Sequence, residues 1–453
     1  MTETATPART PFSAPTYRWQ PNSAATLVGT QVGLAVLRLI SNIVITRLLV
    51  PADFGAVMLL TSVLFVVELA GETGIPPYVI RQSNAEDPRV INTLWTIQIL
   101  RGLFLATIVW LFAPLITRGL GQPDLTLALQ VMAIPLVIEG FRSMSIWLSR
   151  RHQTDWRNSI FELLIYVIQL VIAIIACWTL KSYWGLVIGL LSRSVLSVIV
   201  SYALYRYPRQ QLQFDTEVAR SLWGFAKFIF ASSLMTILIN QIDKFLVLKN
   251  LSLGEAGLYN LAIGLVLTYE GICHGFASRI YLADVSSRLR DGGAGADAYY
   301  APMRLMRPAL TAVAAAGVGF GPTFFSIIYD PRFVSAGVIF SVLVIRAIMT
   351  PTSVCAQNFL IADEDRRSTL VSNGLRAAWL LVAGIWAWQT YGAWGLFWAV
   401  ALSEVPAVLY YYWRLWRKGV FQFTGELTVL IAAIIGLSSG FIASAMYRMV
   451  FGE

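Results

Sequence analysis

The sequence predicts an all-α polytopic membrane protein, folded as two pseudo-symmetric six-helix lobes around a central cavity. Of its 453 residues, 57% are hydrophobic and only 13% are charged, and the mean hydropathy is +0.65. Soluble domains carry about 25% charged residues. Apolar runs of about 20 residues recur along the chain, and each is long enough to cross a hydrocarbon layer of about 30 Å as a helix. A short motif near the start also returns in the second half.

The apolar runs predict twelve core spans and a thirteenth, C-terminal span. They lack the alternation of half-buried strands, and they are too long for the strands of a membrane barrel. The predicted spans are 24–48, 55–80, 91–115, 125–148, 159–180, 183–205, 223–248, 256–284, 303–328, 335–360, 369–390, 392–413 and 427–447.

The spans divide the chain into five predicted segments. The polar, proline-rich residues 1–23 predict a disordered cytoplasmic tail without a cleavable signal peptide. The other segments are a first lobe at 24–206, a cytoplasmic linker at 207–222, a second lobe at 223–413, and a basic loop with the last span at 414–453.

The basic residues predict the orientation of the chain. Each loop that follows an even-numbered span up to the twelfth holds at least two Lys or Arg, whereas each loop after an odd-numbered span holds one or none. Basic loops face the cytoplasm, so the N-terminus is expected there, and a thirteenth span would leave the C-terminus outside. The net charge of +9 is therefore a topology signal, and no nucleic-acid partner is expected.

A stretch at the end of the first predicted span returns 202 residues later. Thr46–Leu60 reads TRLLVPADFGAVMLL, and Leu248–Ala262 reads LKNLSLGEAGLYNLA. In the first copy Pro51 ends one helix, and Asp53 is placed to cap the next. The matching positions are Arg47 with Lys249, Leu49 with Leu251, Asp53 with Glu255, Gly55 with Gly257, and Leu59 with Leu261. The two six-span blocks are therefore predicted to be parallel repeats related by an axis along the membrane normal.

Basic residues inside the predicted spans are candidates for binding an anionic cargo. Charged side chains in a membrane are costly, and they usually face a partner or a wet cavity. Arginine can hold phosphate or carboxylate oxygens with paired hydrogen bonds. The candidates are Arg38, Arg142, Lys244 and Arg346. Since Glu139 is three residues before Arg142, a local ion pair is the alternative for that residue.

Acidic residues and one histidine in the spans are candidates for binding a coupling ion, either a proton or sodium. They are Glu68, Glu72, Asp243, Glu270 and His274. The spans also contain Arg101, Arg193 and Glu404, to which the sequence assigns no role. For residues near the cytoplasmic interface, snorkelling is a sufficient explanation. These residues are Lys227, Arg279, Asp284 and Arg376.

The sequence argues against an enzyme. It contains no GxxxxGK[ST], HExxH or GxSxG motif, and no loop is long enough for a catalytic domain. Cys177, Cys273 and Cys355 lie inside predicted spans without CxxC spacing, so they are expected to be packed apolar residues. We expect no catalytic residue, no cofactor and no metal site.

Two segments resemble a known family. Ile40–Leu64 reads ISNIVITRLLVPADFGAVMLLTSVL, and Gln241–Ala262 reads QIDKFLVLKNLSLGEAGLYNLA. Both resemble the polysaccharide flippases, the Wzx-like or polysaccharide-transporter branch of the multidrug/oligosaccharidyl-lipid/polysaccharide exporter superfamily. The first segment carries the hairpin residues Arg47, Pro51, Asp53 and Gly55.

The resemblance implies a function and its partners. Such proteins move an undecaprenyl-diphosphate-linked oligosaccharide across the bacterial inner membrane for surface polysaccharide synthesis, while the lipid tail stays among membrane lipids. The implied mechanism is alternating access, and a polysaccharide polymerase or co-polymerase is a candidate partner. The family has no strict site motif, so the resemblance assigns no individual binding residue.

Three other interpretations remain open at this stage. A cation-coupled multidrug exporter of the same superfamily would favour an acidic cavity, whereas several deep residues here are arginines. A membrane enzyme such as a glycan polymerase or acyltransferase would need a large outer loop or an intramembrane histidine and aspartate constellation. A passive anchor would not need so many charges within its spans.

Overall fold

The structure is a computed structural model that describes residues 22–82, 84–151, 155–204, 210–292 and 295–451. Every regular element in those ranges is helical, which confirms the all-α fold class. The first lobe comprises α1 (Asn22–Leu48), α2 (Pro51–Ala70), α3 (Ile75–Arg81), α4 (Pro88–Gly119), α5 (Thr126–Val131), α6 (Ile134–Gly140), α7 (Ser145–Arg151), α8 (Asp155–Leu180) and α9 (Trp184–Leu204).

The second lobe follows with a similar plan and longer uninterrupted helices. It comprises α10 (Thr216–Asn250), α11 (Leu253–Phe276), α12 (Leu282–Arg290), α13 (Gly295–Tyr300), α14 (Met306–Ile328), α15 (Ala336–Ala362), α16 (Arg366–Trp379), α17 (Ile385–Ala401) and α18 (Val405–Arg417), and α19 (Phe423–Phe451) comes after it. Residues 1–21 of the predicted tail, residues 207–209 of the predicted linker and residues 452–453 lie outside the described ranges.

Ten helical segments in the described ranges are long and apolar enough to cross a membrane. One of them, Arg367–Arg417, is 51 residues long and contains the predicted spans 369–390 and 392–413. The chain turns inside this segment at Gly392, which has a φ of 62°. Glycine adopts such a positive φ with little conformational strain. The multi-pass architecture is thus confirmed, and the count of twelve plus one stays a prediction.

Two predicted spans of the first lobe are interrupted in the structure. The span predicted at 55–80 consists of α2 and α3, with Gly71–Gly74 between them. Gly74 has a φ of 69°, a conformation that stops a right-handed helix. The span predicted at 125–148 is divided among α5, α6 and α7. Hydropathy detects the apolar runs, but it does not detect these breaks.

The two copies of the repeated motif have the same local structure. Asp53 Oδ2 accepts a hydrogen bond from the Val50 amide at 3.1 Å, and Glu255 Oε2 accepts one from the Ser252 amide at 3.0 Å. Each carboxylate therefore caps the N-terminus of the second helix of its hairpin, α2 in the first copy and α11 in the second. Asp53 also accepts a bond from the Tyr183 amide at 2.9 Å, so the first copy ties two hairpins together.

The lobes meet mainly where α2 packs against α11, with α1 and α10 also crossing between them. Buried residues from both lobes form one continuous core at this seam, including Leu59 and Leu60 on α2 and Tyr259 and Ile263 on α11. The seam therefore joins the second span of each repeat.

The chain before α10 is held on the first lobe. The backbone amides of Gln213 and Asp215 each donate to a threonine of α4, Thr96 and Thr93, at 3.1 Å. Asp215 also forms an ion pair with Arg89, and this hydrogen-bonded partner lowers the pKa of Asp215 below its ordinary value. The start of the second lobe is thus anchored to α4.

The last helix lies along α14 through small residues. A β-carbon added at Gly436 would come within 2.8 Å of the Ala312 Cα, and one at Gly440 within 2.9 Å of the Ala316 carbonyl carbon. Such close backbone approach through residues four apart is typical of helix pairs in membranes. It explains why α19 packs on the second lobe and does not lie apart.

Candidate functional site

A cavity of about 620 Å³ lies inside the first lobe, among α2, α4, α6, α8 and α9. Its wall combines apolar side chains with an unusual number of charges. The charged lining residues are Glu68, Glu72, Glu139, Glu162, Arg101, Arg142 and Arg193. Four carboxylates and three guanidinium groups within one membrane lobe require water or a polar ligand between them.

The break between α2 and α3 opens onto this cavity and is capped by Arg101. Its Nε donates to the carbonyl of Gly71 at 2.5 Å, and its Nη2 donates to the carbonyl of Glu68 at 2.7 Å. Past the break, Glu72 Oε1 accepts a bond from the Gly74 amide at 3.0 Å. Arg101 thus satisfies backbone groups that the broken helix leaves free, and this limits its availability to a ligand.

The break after α6 is capped from the same helix, α4. The side-chain nitrogen of Gln98 lies 3.1 Å from the Glu139 carbonyl oxygen, 3.0 Å from that of Gly140 and 3.1 Å from that of Arg142. Gln98 and Arg101 are three residues apart, so they project from one face of α4. One helix face therefore supports both interrupted spans.

Arg142 and Glu139 face the cavity as a pair. Their closest side-chain atoms, Arg142 Nη1 and Glu139 Oε2, are 3.5 Å apart. The guanidinium carbon of Arg142 also lies 5.8 Å from the centre of the Trp147 ring. Both side chains keep a quarter to a third of their surface exposed, at 25% for Arg142 and 34% for Glu139. The pair is therefore open to exchange with an incoming ligand.

Arg193 on α9 is the cavity arginine with the greatest freedom. Its side chain is exposed to the cavity, and no carboxylate in the described part of the chain forms an ion pair with it. Glu68 of α2 and Glu139 of α6 lie near enough to influence it electrostatically. An exposed guanidinium close to several carboxylates can bind an anion or can pair with the carboxylates in its absence.

Three of the predicted site residues line this cavity: Arg142, Glu68 and Glu72. The predicted residues of the second lobe lie elsewhere. Arg346 Nη2 forms a buried ion pair with Glu270 Oε2 at 2.8 Å, and Thr350 donates to the same carboxylate at 3.4 Å. Both charged side chains are about nine-tenths buried. They neutralise each other between α11 and α15.

The other predicted residues of the second lobe do not meet at one site. Asp243 is buried and accepts a hydrogen bond from the Tyr259 hydroxyl. Lys244 is half-buried on the next position of α10, and His274 is exposed on α11. A second buried ion pair joins Arg376 and Glu404 at 2.8 Å, so snorkelling does not account for Arg376.

The remaining predicted residues lie on α1 and on the hairpin that follows it. Arg38 is exposed, does not line the cavity, and forms no ion pair with a described residue. Arg47 is exposed in the last turn of α1. Pro51 starts α2, Asp53 caps it, and Gly55 is buried at the contact between the lobes. The hairpin motif is thus architectural and does not line the cavity.

Sequence reasoning left four of the cavity residues without a role: Gln98, Arg101, Glu162 and Arg193. Arg101 and Arg193 were visible as intramembrane charges, yet nothing in the pattern distinguished them from other charges. The spacing of Gln98 and Arg101 on one face of α4 was a usable signal. Glu162 lay inside a predicted span and was detectable in the same way.

These features define a class of protein. Two parallel helical repeats with a charged cavity where membrane helices are interrupted are the architecture of a secondary transporter. A family model described as "Polysaccharide biosynthesis protein" matches residues 44–335. The chain belongs to this polysaccharide biosynthesis family, and the predicted relationship to polysaccharide flippases is confirmed.

Similar proteins agree with this assignment. A region of 236 residues is 23% identical to the succinoglycan biosynthesis transport protein ExoT of Rhizobium meliloti strain 1021, covering 51% of this chain and 47% of that protein. The match thus spans about half the length of the relative. The lipid II flippase MurJ in an inward closed conformation has a TM-score of 0.74 at 12% identity, covering 94% of this chain and 100% of that one.

An inward-facing multidrug resistance transporter of the MATE family has the same overall fold. Its TM-score is 0.64 at 15% identity, and the superposition covers 88% of this chain and 98% of that one. The multidrug/oligosaccharidyl-lipid/polysaccharide superfamily fold is therefore shared by flippases and drug exporters. Fold likeness alone does not distinguish the two activities.

Proposed function

We propose that this protein is a flippase that moves a lipid-linked oligosaccharide from the cytoplasmic to the outer leaflet of the bacterial inner membrane, for the synthesis of a surface polysaccharide. The observation that carries the proposal is the charged cavity of about 620 Å³ inside a member of a polysaccharide biosynthesis family. A purely apolar cargo would not need this wall. A sugar diphosphate on a lipid needs a polar path for its head while the tail stays in the bilayer.

The arginines of the cavity suit a diphosphate. Arg193 is free to bind phosphate oxygens, and Arg142 can leave Glu139, since their closest atoms are 3.5 Å apart. Arg101 is held by two carbonyl oxygens of the broken span and therefore serves to shape the site. Trp147, already stacked near Arg142, offers a ring face to a sugar.

The size of the cavity sets what it can hold at one time. Small-molecule pockets are about 300–1,000 Å³, and this cavity lies in that range. It can accommodate a diphosphate with the first sugars of a repeat unit. A longer glycan would extend beyond the cavity during transport.

In this proposal the carboxylates bind the coupling ion. Glu68 and Glu72 are one helical turn apart on α2 and the break after it, and Glu139 faces them from α6. Binding of protons or sodium to these groups would change the charge that faces Arg193 and Arg142, and this change couples ion binding to diphosphate binding. Lobe movement by alternating access then exposes the cavity to each side in turn.

The test is complementation of a flippase-deficient bacterial strain whose surface polysaccharide can be quantified. We expect Arg193→Gln to lower export at least tenfold at equal protein abundance, and Arg142→Gln to lower it less. Arg118→Gln is the matched control, because Arg118 lies on α4 in its last turn and does not line the cavity. Full export by an Arg193→Gln, Arg142→Gln double variant would contradict the proposed diphosphate site.

A cation-coupled multidrug exporter is the second candidate, and one observation favours it. The cavity holds four carboxylates against three arginines, and two of the arginines are already engaged. Efflux of a fluorescent organic cation from cells that express the protein would support this candidate. Polysaccharide complementation without such efflux would support the flippase.

The orientation and the partners are part of the same proposal. We infer a cytoplasmic N-terminus from the basic loops, and a reporter that is active only in the cytoplasm, fused ahead of α1, tests it. A polymerase or co-polymerase would receive the translocated unit. Co-purification with a tagged copy of this chain, followed by mass spectrometry, would identify such a partner.

A further inference from the structure

The two copies of the repeated motif touch each other through their glycines. Gly55 lies on α2 and Gly257 lies on α11, and both are buried. A β-carbon added at Gly55 would lie 2.8 Å from the carbonyl carbon of Leu253 and would overlap its oxygen. One added at Gly257 would lie 2.7 Å from the carbonyl carbon of Pro51 and would overlap that oxygen. Only glycine fits either position without moving a backbone.

The contact is symmetric under the internal repeat. Pro51 and Leu253 are 202 residues apart, as are Gly55 and Gly257. Each glycine therefore meets the carbonyl four residues before the other glycine, as in an interface between two identical chains. A contact that repeats under the pseudo-two-fold axis lies at that axis, where the lobes approach most closely.

Other contacts close the same end of the seam. The rings of Phe54 on α2 and Phe333 after α14 are 5.2 Å apart. Asn260 of α11 donates to the Phe54 carbonyl at 3.4 Å. Arg332, beside Phe333, donates to the carbonyl of Thr46 at 3.4 Å. All of these residues lie near the short loops with one basic residue or none, which is the outer end by the charge distribution.

We propose that Gly55 and Gly257 form the outer gate of this transporter, closing the lobes by backbone contact. The inference rests on the proposed alternating access and is independent of which cargo is carried. Glycine suits a gate because the contact consists of dispersion and weak Cα–H to carbonyl interactions. The glycine contact can separate and re-form without breaking an ion pair, and opening also breaks the ring contact of Phe54 with Phe333 and two long hydrogen bonds of 3.4 Å.

The proposal predicts that one methyl group is enough to shift the gate. Gly55→Ala or Gly257→Ala must separate the helices by on the order of 1 Å to relieve the overlap. The closed state alone bears that cost, because the contact is absent once the outer end opens. We expect the ratio of outer-open to outer-closed molecules to rise about tenfold in either variant.

The experiment measures the distance between two spin labels at the outer ends of the lobes in nanodiscs. Labels are placed at Val50 and Asn250, which are both exposed, after the three buried native cysteines are replaced by alanine. Gly254→Ala and Gly264→Ala on α11 are the controls, because a β-carbon at Gly254 would have its nearest neighbour at 3.9 Å and one at Gly264 would have none within 4 Å. The controls should keep the wild-type distance distribution.

A folded Gly55→Ala or Gly257→Ala protein with an unchanged distance distribution would overturn the proposal. If either variant does not fold, a cross-link tests the same gate with both glycines present. A reducible bismaleimide joins the two cysteines of an Arg47→Cys, Arg332→Cys variant. These positions are close, because the Arg332 guanidinium lies 3.5 Å from the Arg47 carbonyl oxygen. We expect transport to stop on cross-linking and to return on reduction, and continued transport in the cross-linked state would overturn the gate.

These outcomes test the proposed gate independently of the proposed cargo. Loss of the distance change would refute the gate even if polysaccharide export depends on Arg193. A clear distance change in a protein that fails the export test would support the gate and refute only the proposed cargo.

Discussion

The two lobes place equivalent residues in opposite environments. Glu68 of α2 and Glu270 of α11 are 202 residues apart in the sequence, the same offset as the repeated hairpin. Glu68 is exposed on the wall of the cavity, whereas Glu270 is 7% exposed and paired with Arg346. Glu72 and His274 are also separated by this offset. The repeat therefore conserves position in the fold without conserving surroundings.

The backbone explains the difference. In the first lobe the second span breaks after Ala70, and its free carbonyls are capped by Arg101. In the second lobe the equivalent helix continues through a π-helical turn at Ala277–Tyr281 into α12. A broken membrane helix needs donors or water for its free groups, whereas a π-turn keeps them bonded internally. The charged cavity thus lies beside the break, whereas the buried charges of the second lobe form ion pairs.

The two lobes share one architecture, but their charged residues have different roles. The first lobe provides the polar cavity and tolerates exposed charge. In the second lobe the side chains of Arg346 and Arg376 are largely buried, and each meets a carboxylate, Glu270 and Glu404 respectively.

The largest expected effect comes from breaking the sealed pair of the second lobe. Arg346→Met leaves Glu270 charged, buried and without its partner, which should cost about 3–5 kcal/mol of stability. The Glu270→Leu, Arg346→Met double variant removes both charges and should recover most of it. Glu68→Gln in the first lobe should change stability by no more than about 0.5 kcal/mol while lowering transport. Thermal unfolding of purified protein in detergent, followed by tryptophan fluorescence, measures the three variants.

The double variant also decides whether Arg346 binds cargo. If it folds and transports, Arg346 has a structural role and the cargo site belongs to the first lobe alone. If it folds as stably as wild type and does not transport, the sequence-based predictions that Arg346 binds cargo and that Glu270 binds the coupling ion both stand. Recovery of neither stability nor abundance would show that the ion pair does more than neutralise two charges.

A smaller effect is expected from removing the caps of the broken spans. Gln98→Leu leaves three carbonyl oxygens near the cavity without their donor, and Arg101→Met leaves two. Each should cost about 1–3 kcal/mol and should also reduce transport, because the cavity wall loses its shape. The matched control is Gln130→Leu, whose single carbonyl bond of 3.3 Å lies at an exposed position.

The cap variants and their control are compared in one experiment. Unfolding midpoints and polysaccharide export are measured on the same preparations of each variant. Equal stability of Gln98→Leu and Gln130→Leu would mean that water satisfies the freed carbonyls and that the breaks need no dedicated cap.

The fold was predictable because it depends on quantities that a sequence displays directly. Apolar length predicts membrane spans, basic loops predict orientation, and the repeat at Arg47–Leu59 predicts two similar lobes. All three are local properties of the sequence. The breaks were less accessible. Pro76 and Gly74 indicate an interruption, but the donor that stabilises it, Arg101, is about 30 residues away on another helix.

The site was only partly predictable for the same reason. Every deep charge looks alike in a sequence, since burial and hydration depend on neighbours from other spans. Arg142 and Arg346 were both predicted to bind cargo, yet one lines the cavity and the other is sealed against Glu270. Pairing across helices, which decides between these outcomes, has no signature in hydropathy.

The smallest expected effect lies in the caps that the two repeats share. Asp53→Ala and Glu255→Ala each remove a carboxylate that accepts the backbone amide just before its helix, from Val50 at 3.1 Å and from Ser252 at 3.0 Å. Each loss should cost about 0.5–2 kcal/mol of stability. Asp53→Ala should cost more, because Asp53 also accepts the Tyr183 amide of another hairpin at 2.9 Å. The second bond to Glu255 comes from the Ser252 hydroxyl at 2.7 Å, within the same turn. Unfolding midpoints of the two variants measured side by side give the difference. A larger loss for Glu255→Ala would mean that the second hairpin, although simpler in its contacts, carries more of the stability at the seam between the lobes.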